Sequence, residues 1–280
     1  MIENPENRDD VFIDGIRAFA PHLNETCDDY PAGVYEKLAS IENKSFWFTG
    51  RNEIIQFFFK KVLGERSARV LEVGCGTGFV LDGLSKSFPR YQLMGADIHV
   101  EGMRFARNRL PLVEFCQVDA TDMPFQNEFD AVGMFDSLEH IQNDEGAIQQ
   151  VYRALKNGGY FLLTVPQHPS LWSPEDEANG HKRRYTRSDL NEKLNAQGFK
   201  VLYVTSFVSC LFPILWLTRF LQKSRKADRS GNLCEEIKRL SPAPTVNTAC
   251  KLLMKLDFML IKAGLQIPFG GSLVVLAQRA

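Results

Sequence analysis

Glu72 is followed by glycines at every second position, Gly74, Gly76 and Gly78, with Cys75 between the first two. The residues before it, from Ala68, are small or β-favouring, and those from Phe79 read as a helix. This predicts a buried strand that breaks into a glycine loop and then a helix, a geometry whose backbone N–H groups approach an anionic or polar ligand closely. Other residues able to do chemistry stand at the ends of later strand-like runs: Asp97-Ile98, Asp119-Ala120 and Phe135-Asp136, the last followed by Glu139-His140. Asp97 comes nineteen residues after Gly78, where a carboxylate accepts both hydroxyls of a ribose while Ile98 lies against the attached base. His140 is the first choice of general base, because an imidazole near its ordinary pKa takes a proton at neutral pH. His181 and His168 are the other candidates, and no metal-ligand set is assigned.

The elements that must position these residues follow from periodicity. From residue 69 strands and helices alternate, the signature of a parallel sheet covered on both faces. The expected strands are Arg69–Val73, Tyr91–Asp97, Val113–Val118, Phe129–Phe135, Tyr160–Val165, Lys200–Thr205 and Ser272–Gln278. Between them come helices over Phe79–Ser87, Val100–Arg109, Asp144–Leu155 and Ser188–Gln197, the last capped by Ser188-Asp189 and ended by Gly198. Ligands of such sheets sit beyond the carboxyl ends of the strands, so every acid named above falls where a ligand would.

An acid with glycines at +2, +4 and +6 resembles motif I of the class I S-adenosylmethionine-dependent methyltransferases; a dinucleotide fingerprint would place its third glycine at Phe79. The resemblance runs from about Phe46 to Phe207, and its motif order and spacing fit without a gap. Trp172, His181 and the turn Arg183-Arg184-Tyr185-Thr186 are similar to the type 11/type 12 subgroup. The resemblance implies an α/β, doubly wound, seven-stranded Rossmann-like sheet with strands 1–6 parallel and strand 7 antiparallel. It also implies S-adenosyl-L-methionine as cofactor, held by Glu72, Gly74, Cys75, Gly76, Gly78, Asp97, Ile98, Asp119, Ala120, Phe135 and Asp136. Asp119 then corresponds to the acid beside the adenine amino group. The residues assigned to the acceptor are Trp47, Arg51, His168, Trp172, Arg183 and Arg184, with the arginines for a carboxylate or phosphate. Those assigned to catalysis are His140, His181 and Tyr185, the tyrosine to orient a nucleophile.

Two segments extend beyond the minimal fold. Residues 1–63 are expected to form a helical extension, with a helix over Asn52–Leu63 and Phe46, Trp47 and Phe48 either packing it on the sheet or covering the ligand. The core is then 64–206 plus 272–280, and a helical insertion fills 207–271. Phe207–Thr218 carries no charge and is followed by Arg219, Lys223, Arg225, Lys226 and Arg229. That stretch is too short to cross a bilayer and suits a lid, a dimer face or an interfacial helix making peripheral membrane contact through 207–229. A second amphipathic segment, Thr248–Ala263, presents Leu252, Leu253, Leu256, Met259 and Leu260. Together the two would roof the strand ends and favour a small-molecule, apolar or lipid-like acceptor; a non-catalytic cofactor-binding protein with a docking insertion is the alternative. Hydrophobic content of 44% and charged content of 24% fit a globular protein, and a net charge of −1 supplies no field for nucleic acid. The six scattered cysteines and the polar, acidic start lead to the expectation of a cytoplasmic protein, peripheral at the inner face of a membrane if the insertion docks there. Oligomeric state is not legible.

Overall fold

A computed structural model describes residues 11–24, 33–217, 240 and 242–280. At its centre is β3 (Ala68–Val73), which pairs in parallel with β4 (Tyr91–Asp97) on one side and β6 (Phe129–Phe135) on the other. Outward from β4 lies β5 (Glu114–Gln117); outward from β6 lies β7 (Leu155–Pro166). The final strand, β9 (Ser272–Arg279), inserts antiparallel between β7 and β8 (Phe199–Phe207). The direction of progression along the sheet reverses at β3/β6, which opens a crevice beyond their carboxyl ends. Glu72 and Asp136 both stand there.

Side chains alternate along β3 because successive strand residues face opposite sides of the sheet. Leu71 and Val73 enter one core with Phe161, Leu163 and Tyr185, under α5 (Asp144–Ala154) and α7 (Arg187–Ala196). Ala68 and Val70 enter the other with Ile54, Phe58 and Phe59 of α2 (Phe46–Leu63) and Leu84 of α3 (Phe79–Ser87). A third cluster, around Leu81, Met103 and Ala106, packs α4 (Val100–Arg109) beside the glycine loop.

The sheet has nine strands, two more than expected. β1 (Phe12–Ile13) and β2 (Ile16–Ala18) form a hairpin that extends the edge at β5. Asp14 and Gly15 both have positive φ, 52° and 73°, as a two-residue hairpin turn requires, and Ile16 and Ala18 are buried against the sheet. The extension is therefore not wholly helical, although α1 (Val34–Ile41) and α2 lie within it. Smaller differences share a cause in local hydrogen bonding. The side chain of Thr186, not Ser188, caps α7 by accepting from Asp189 N at 3.1 Å, and β8 runs on to Phe207 because β9 pairs with it that far.

In the insertion, helical backbone over 212–217 follows β8, and α8 (Pro244–Lys262 here) returns along α2. Asp257 of α8 is fully buried and accepts from Ser209 N at 2.6 Å and Cys210 N at 3.2 Å. That anchor turns Met254 and Ile261 inward; of the expected apolar set it leaves Leu252, Leu256 and Met259 exposed and Leu253 and Leu260 partly buried. The basic residues from Arg219 to Arg229 lie outside the described residues.

Candidate functional site

The loop between β3 and α3 is fixed by the neighbouring strand. Gly74 N and Cys75 N donate to Ala96 O at 2.8 and 3.1 Å, and Gly76 N donates to Asp97 Oδ2 at 2.8 Å. The other oxygen of Asp97 accepts from His99 N at 2.9 Å. The acid at the end of β4 thus sets the loop's shape as well as facing the crevice. Glu72, 3% exposed, lies beneath the loop, and its Oε2 has no hydrogen-bond partner among the described residues. Burial pushes its carboxyl up to about 8, against the opposing pull of the Arg51 guanidinium.

Above this loop opens a cavity of about 620 Å³. It brings together Glu72, Gly74, Cys75, Gly76, Asp97, Ile98, Asp119, Ala120, Phe135 and Asp136 from the expected cofactor set, and Trp47, Arg51, His140, His181 and Arg184 from the others. Asp119 Oδ1 accepts from the amide and hydroxyl of Thr121, both at 2.8 Å, closing the turn after β5. Arg51 is already engaged: its Nη1 is 2.5 Å from Asp136 Oδ2, which Thr164 Oγ1 also approaches at 2.8 Å, and its guanidinium lies 4.8 Å from the centre of a Trp47 ring. It is thus a paired arginine rather than an open carboxylate receptor. Gly78 lies outside the lining, as the left-handed residue that starts α3 against Ala106.

In the same lining the two histidines meet. The rings of His140 and His181 are edge to face with centroids 4.8 Å apart. His181 Nδ1 is 2.9 Å from Asp176 Oδ1, to which Arg184 Nε donates at 2.8 Å. Burial alone would raise Asp176, but the bonds from His181 and Arg184 hold its carboxyl down to about 2. Burial, helped by His181 and Lys182, pushes His140 down to about 3, so its ring is neutral at physiological pH. Glu139 is raised well above the usual carboxylate range by burial and by Asp136.

Besides Gly78, four residues expected at the site are placed elsewhere. Tyr185 is fully buried; its hydroxyl donates to Asp144 Oδ2 at 2.9 Å, and burial and that carboxylate push its ionisation far up. Arg183 donates to the carbonyls of Ile141 and Gln142 and pairs with Asp144 at 2.9 Å. Trp172 Nε1 donates to Glu177 at 3.2 Å, and the His168 ring packs on Phe212 with centroids 5.3 Å apart. None of the four lines the cavity. Tyr185→Phe is accordingly expected to cost about 1–2 kcal/mol of stability, by leaving Asp144 short of a buried donor, while cofactor affinity and turnover stay unchanged. Chemical denaturation alongside steady-state kinetics checks this.

The sequence reading missed α1. Val34, Tyr35 and Leu38 line the cavity from that helix, and Glu42, just after it, accepts from the Thr77 hydroxyl of the glycine loop and from Arg109 Nη2 at 2.9 Å. No local pattern connects Glu42 to a loop so distant in sequence. Asp176 was also missed, although Ser173-Pro-Glu-Asp176 has the spacing of a capping box, which the structure forms.

Residues 45–204 match the methyltransferase domain family. A fatty-acid O-methyltransferase of Mycolicibacterium smegmatis is 39% identical over 99 residues, 34% of this chain and 36% of that protein. The ubiquinone/menaquinone biosynthesis C-methyltransferase of Pseudomonas fluorescens is 33% identical over 130 residues, 43% of this chain and 51% of the other. The chain thus spans about half or less of the length of these two relatives. Among solved structures, a Haemonchus contortus phosphoethanolamine N-methyltransferase in complex with S-adenosyl-L-methionine superposes with a TM-score of 0.53 at 19% identity, over 80% of this chain and 52% of that one, a likeness of fold. With more than half of its length matching the family and the strand order just described, the chain belongs to the class I S-adenosylmethionine-dependent methyltransferases.

Proposed function

We propose that this protein transfers a methyl group from S-adenosylmethionine to a small apolar or lipid-like acceptor. The observation that carries this reading is the mixed lining of the cavity, which joins the glycine loop with Glu72, Asp97 and Asp119 to an apolar set of Phe46, Trp47, Leu171, Val208, Leu211 and Leu215. The residues fit the cofactor. The unpartnered buried oxygen of Glu72 accepts from an ammonium, the space above Gly76 leaves room for the ligand's close approach, and Asp97 and Asp119 offer carboxylates to the nucleoside. Bound S-adenosylmethionine supplies an electrophilic methyl group on a sulfonium. The chain's own part is to hold the acceptor in line, exclude water with the aromatic and aliphatic wall, and receive a proton where the acceptor carries one. The names of the fatty-acid and quinone relatives favour the same acceptor class.

Incubation with methyl-labelled cofactor and a panel of fatty acids and long-chain quinols tests the reading. Label is expected in the organic phase, and binding of cofactor without label in any acceptor would refute it. Leu211→Asp is expected to raise KM for the apolar acceptor about 10- to 100-fold, the worth of one buried leucine, with cofactor affinity retained.

A second reading, peripheral contact with an anionic bilayer, is favoured by the exposed Ile214, Trp216, Leu252, Met259 and Phe269 of the insertion. Residues 207–271 carry ten Lys and Arg against four Asp and Glu in a chain of net charge −1. No helix among the described residues is long and apolar enough to cross a membrane. Salt-reversible sedimentation with anionic vesicles is the expected result; a protein that stays in the supernatant at low salt would leave the insertion as a lid alone.

A further inference from the structure

Two distant segments bring three metal-binding side chains to one point on the cavity wall. Glu139 and His140 lie in the turn after β6, and His181 comes from the loop before α7; one ligand atom from each lies within 4.8 Å of the others. The segments are tied together by the backbone, Lys182 N donating to Glu139 O at 2.8 Å. All three residues line the cavity. We propose that Glu139, His140 and His181 form a binding site for a divalent first-row transition cation, whose open coordination position faces the cavity.

Three features argue for a built site. First, the histidines are oriented by partners outside the cluster, as metal-ligating histidines generally are. His181 Nδ1 bonds Asp176, which is itself held by Arg184 and by Ser173 N and Oγ, both at 2.9 Å, so Nε2 is left to ligate. His140 is hydrogen-bonded to the backbone of Asn179, which fixes its ring in the same way. Second, Glu139 is 1% exposed and its Oε2 has no hydrogen-bond partner among the described residues. A buried carboxyl oxygen left in that state is costly, and a cation satisfies it. Third, the acid three residues before Glu139 does not compete. Asp136 is taken by Arg51 and Thr164 and lies outside the triad.

The donor set decides the class of ion. Two imidazoles and one carboxylate suit Zn2+, Fe2+, Co2+ or Mn2+, whereas Mg2+ and Ca2+ favour shells built of oxygen. Donors on a tetrahedral zinc stand about 3.4 Å apart, so the triad closes on an ion with side-chain movements of about 1 Å. With three protein ligands, a further position stays open, and there the ion would take an oxygen of the acceptor. That last role rests on the methyl-transfer reading; occupancy of the site does not.

Co2+ is the probe, because its visible d–d bands report coordination without any catalytic assay. Chelator-stripped full-length protein, with neither cofactor nor acceptor present, is expected to bind one equivalent with the intense bands of a four- or five-coordinate ion, displaced by Zn2+. Glu139→Gln and His181→Asn should each weaken binding at least about 100-fold, and Asp176→Asn, which alters only the support of His181, about 10- to 100-fold. Circular dichroism and S-adenosylmethionine affinity serve as folding controls, and His181→Asn and Asp176→Asn suffice if the buried Glu139 variant does not fold. Absence of the bands, or bands indifferent to His181→Asn and Asp176→Asn, overturns the proposal. So does a stripped enzyme whose activity needs no metal while His181→Asn abolishes the acidic limb of its pH profile, since His181 would then be a base. Cobalt binding without methyl transfer would refute the proposed function and leave the site standing.

Discussion

Glu72→Gln is expected to weaken S-adenosylmethionine binding about 30- to 100-fold while making the ligand-free protein more stable at neutral and alkaline pH. The loss of affinity is what one charge-assisted hydrogen bond to the ligand's ammonium contributes in a buried site. The stability gain follows from the sign of the pKa shift. The buried carboxyl ionises near 8, whereas in the unfolded chain it does so near its ordinary value of 4.5. Between those values the folded state retains a proton that the unfolded state has released. Stability is therefore lost as pH rises through this window, by roughly 3 kcal/mol at pH 7 on the usual linkage. Glutamine removes that penalty. The variant's melting temperature should match the parent's near pH 5 and exceed it by about 5 °C or more at pH 8. The cationic ligand binds the ionised acid, so the parent should release about one proton per cofactor bound at pH 7. Calorimetry in buffers of different ionisation heat reads that proton, and its persistence in Glu72→Gln would refute the assignment.

The contrast between what the sequence shows and what it hides has a physical origin. α3, β4, α4 and β6 begin and end on the residues expected of them, because each couples a clear periodicity to glycine, proline or charged boundaries. The crevice acids were legible for the same reason: a strand end fixes where its last side chain stands, whatever the rest of the chain does. The features that were not legible depend on partners far away. The Glu42 contact with Thr77 joins α1 to the glycine loop. Asp257 turns α8 so that Leu252, Leu256 and Met259 of its expected apolar set face outward, which its sequence alone does not reveal, because the deciding partners are the Ser209 and Cys210 amides. Tyr185 and Arg183 sit in a turn rich in polar groups and so read as site residues, but Asp144 claims both. The Asp14-Gly15 hairpin is a different case. Its turn signal was present in the residues and was overlooked beneath the expectation of a helical extension.

Gly76→Arg is expected to abolish cofactor binding, raising Kd at least about 100-fold, while the protein stays folded; Gly74→Ala is expected to do the opposite. Both glycines have positive φ, 49° at Gly76 and 77° at Gly74, so either substitution pays a backbone cost of about 1–2 kcal/mol. What separates them is the space around the new side chain. A Cβ at Gly76 meets nothing within 4 Å, and this residue lines the cavity, so an arginine there projects into the volume the cofactor needs. A Cβ at Gly74 would stand 2.5 Å from the Ser137 Cβ. Ser137 is not free to withdraw, because its hydroxyl donates to Val73 O at 3.2 Å and its backbone leads directly from the strained Asp136, φ 52°, into the turn carrying Glu139 and His140. Gly74→Ala should therefore lose about 3 kcal/mol of stability, a fall in melting temperature of about 6–10 °C. It should also disturb the histidine wall, while leaving the nucleoside end of the cavity open. Thermal unfolding and equilibrium binding of both variants read the two effects separately. If Gly76→Arg retained affinity, the space above the loop would not be the cofactor's, and Glu72 would need another cation.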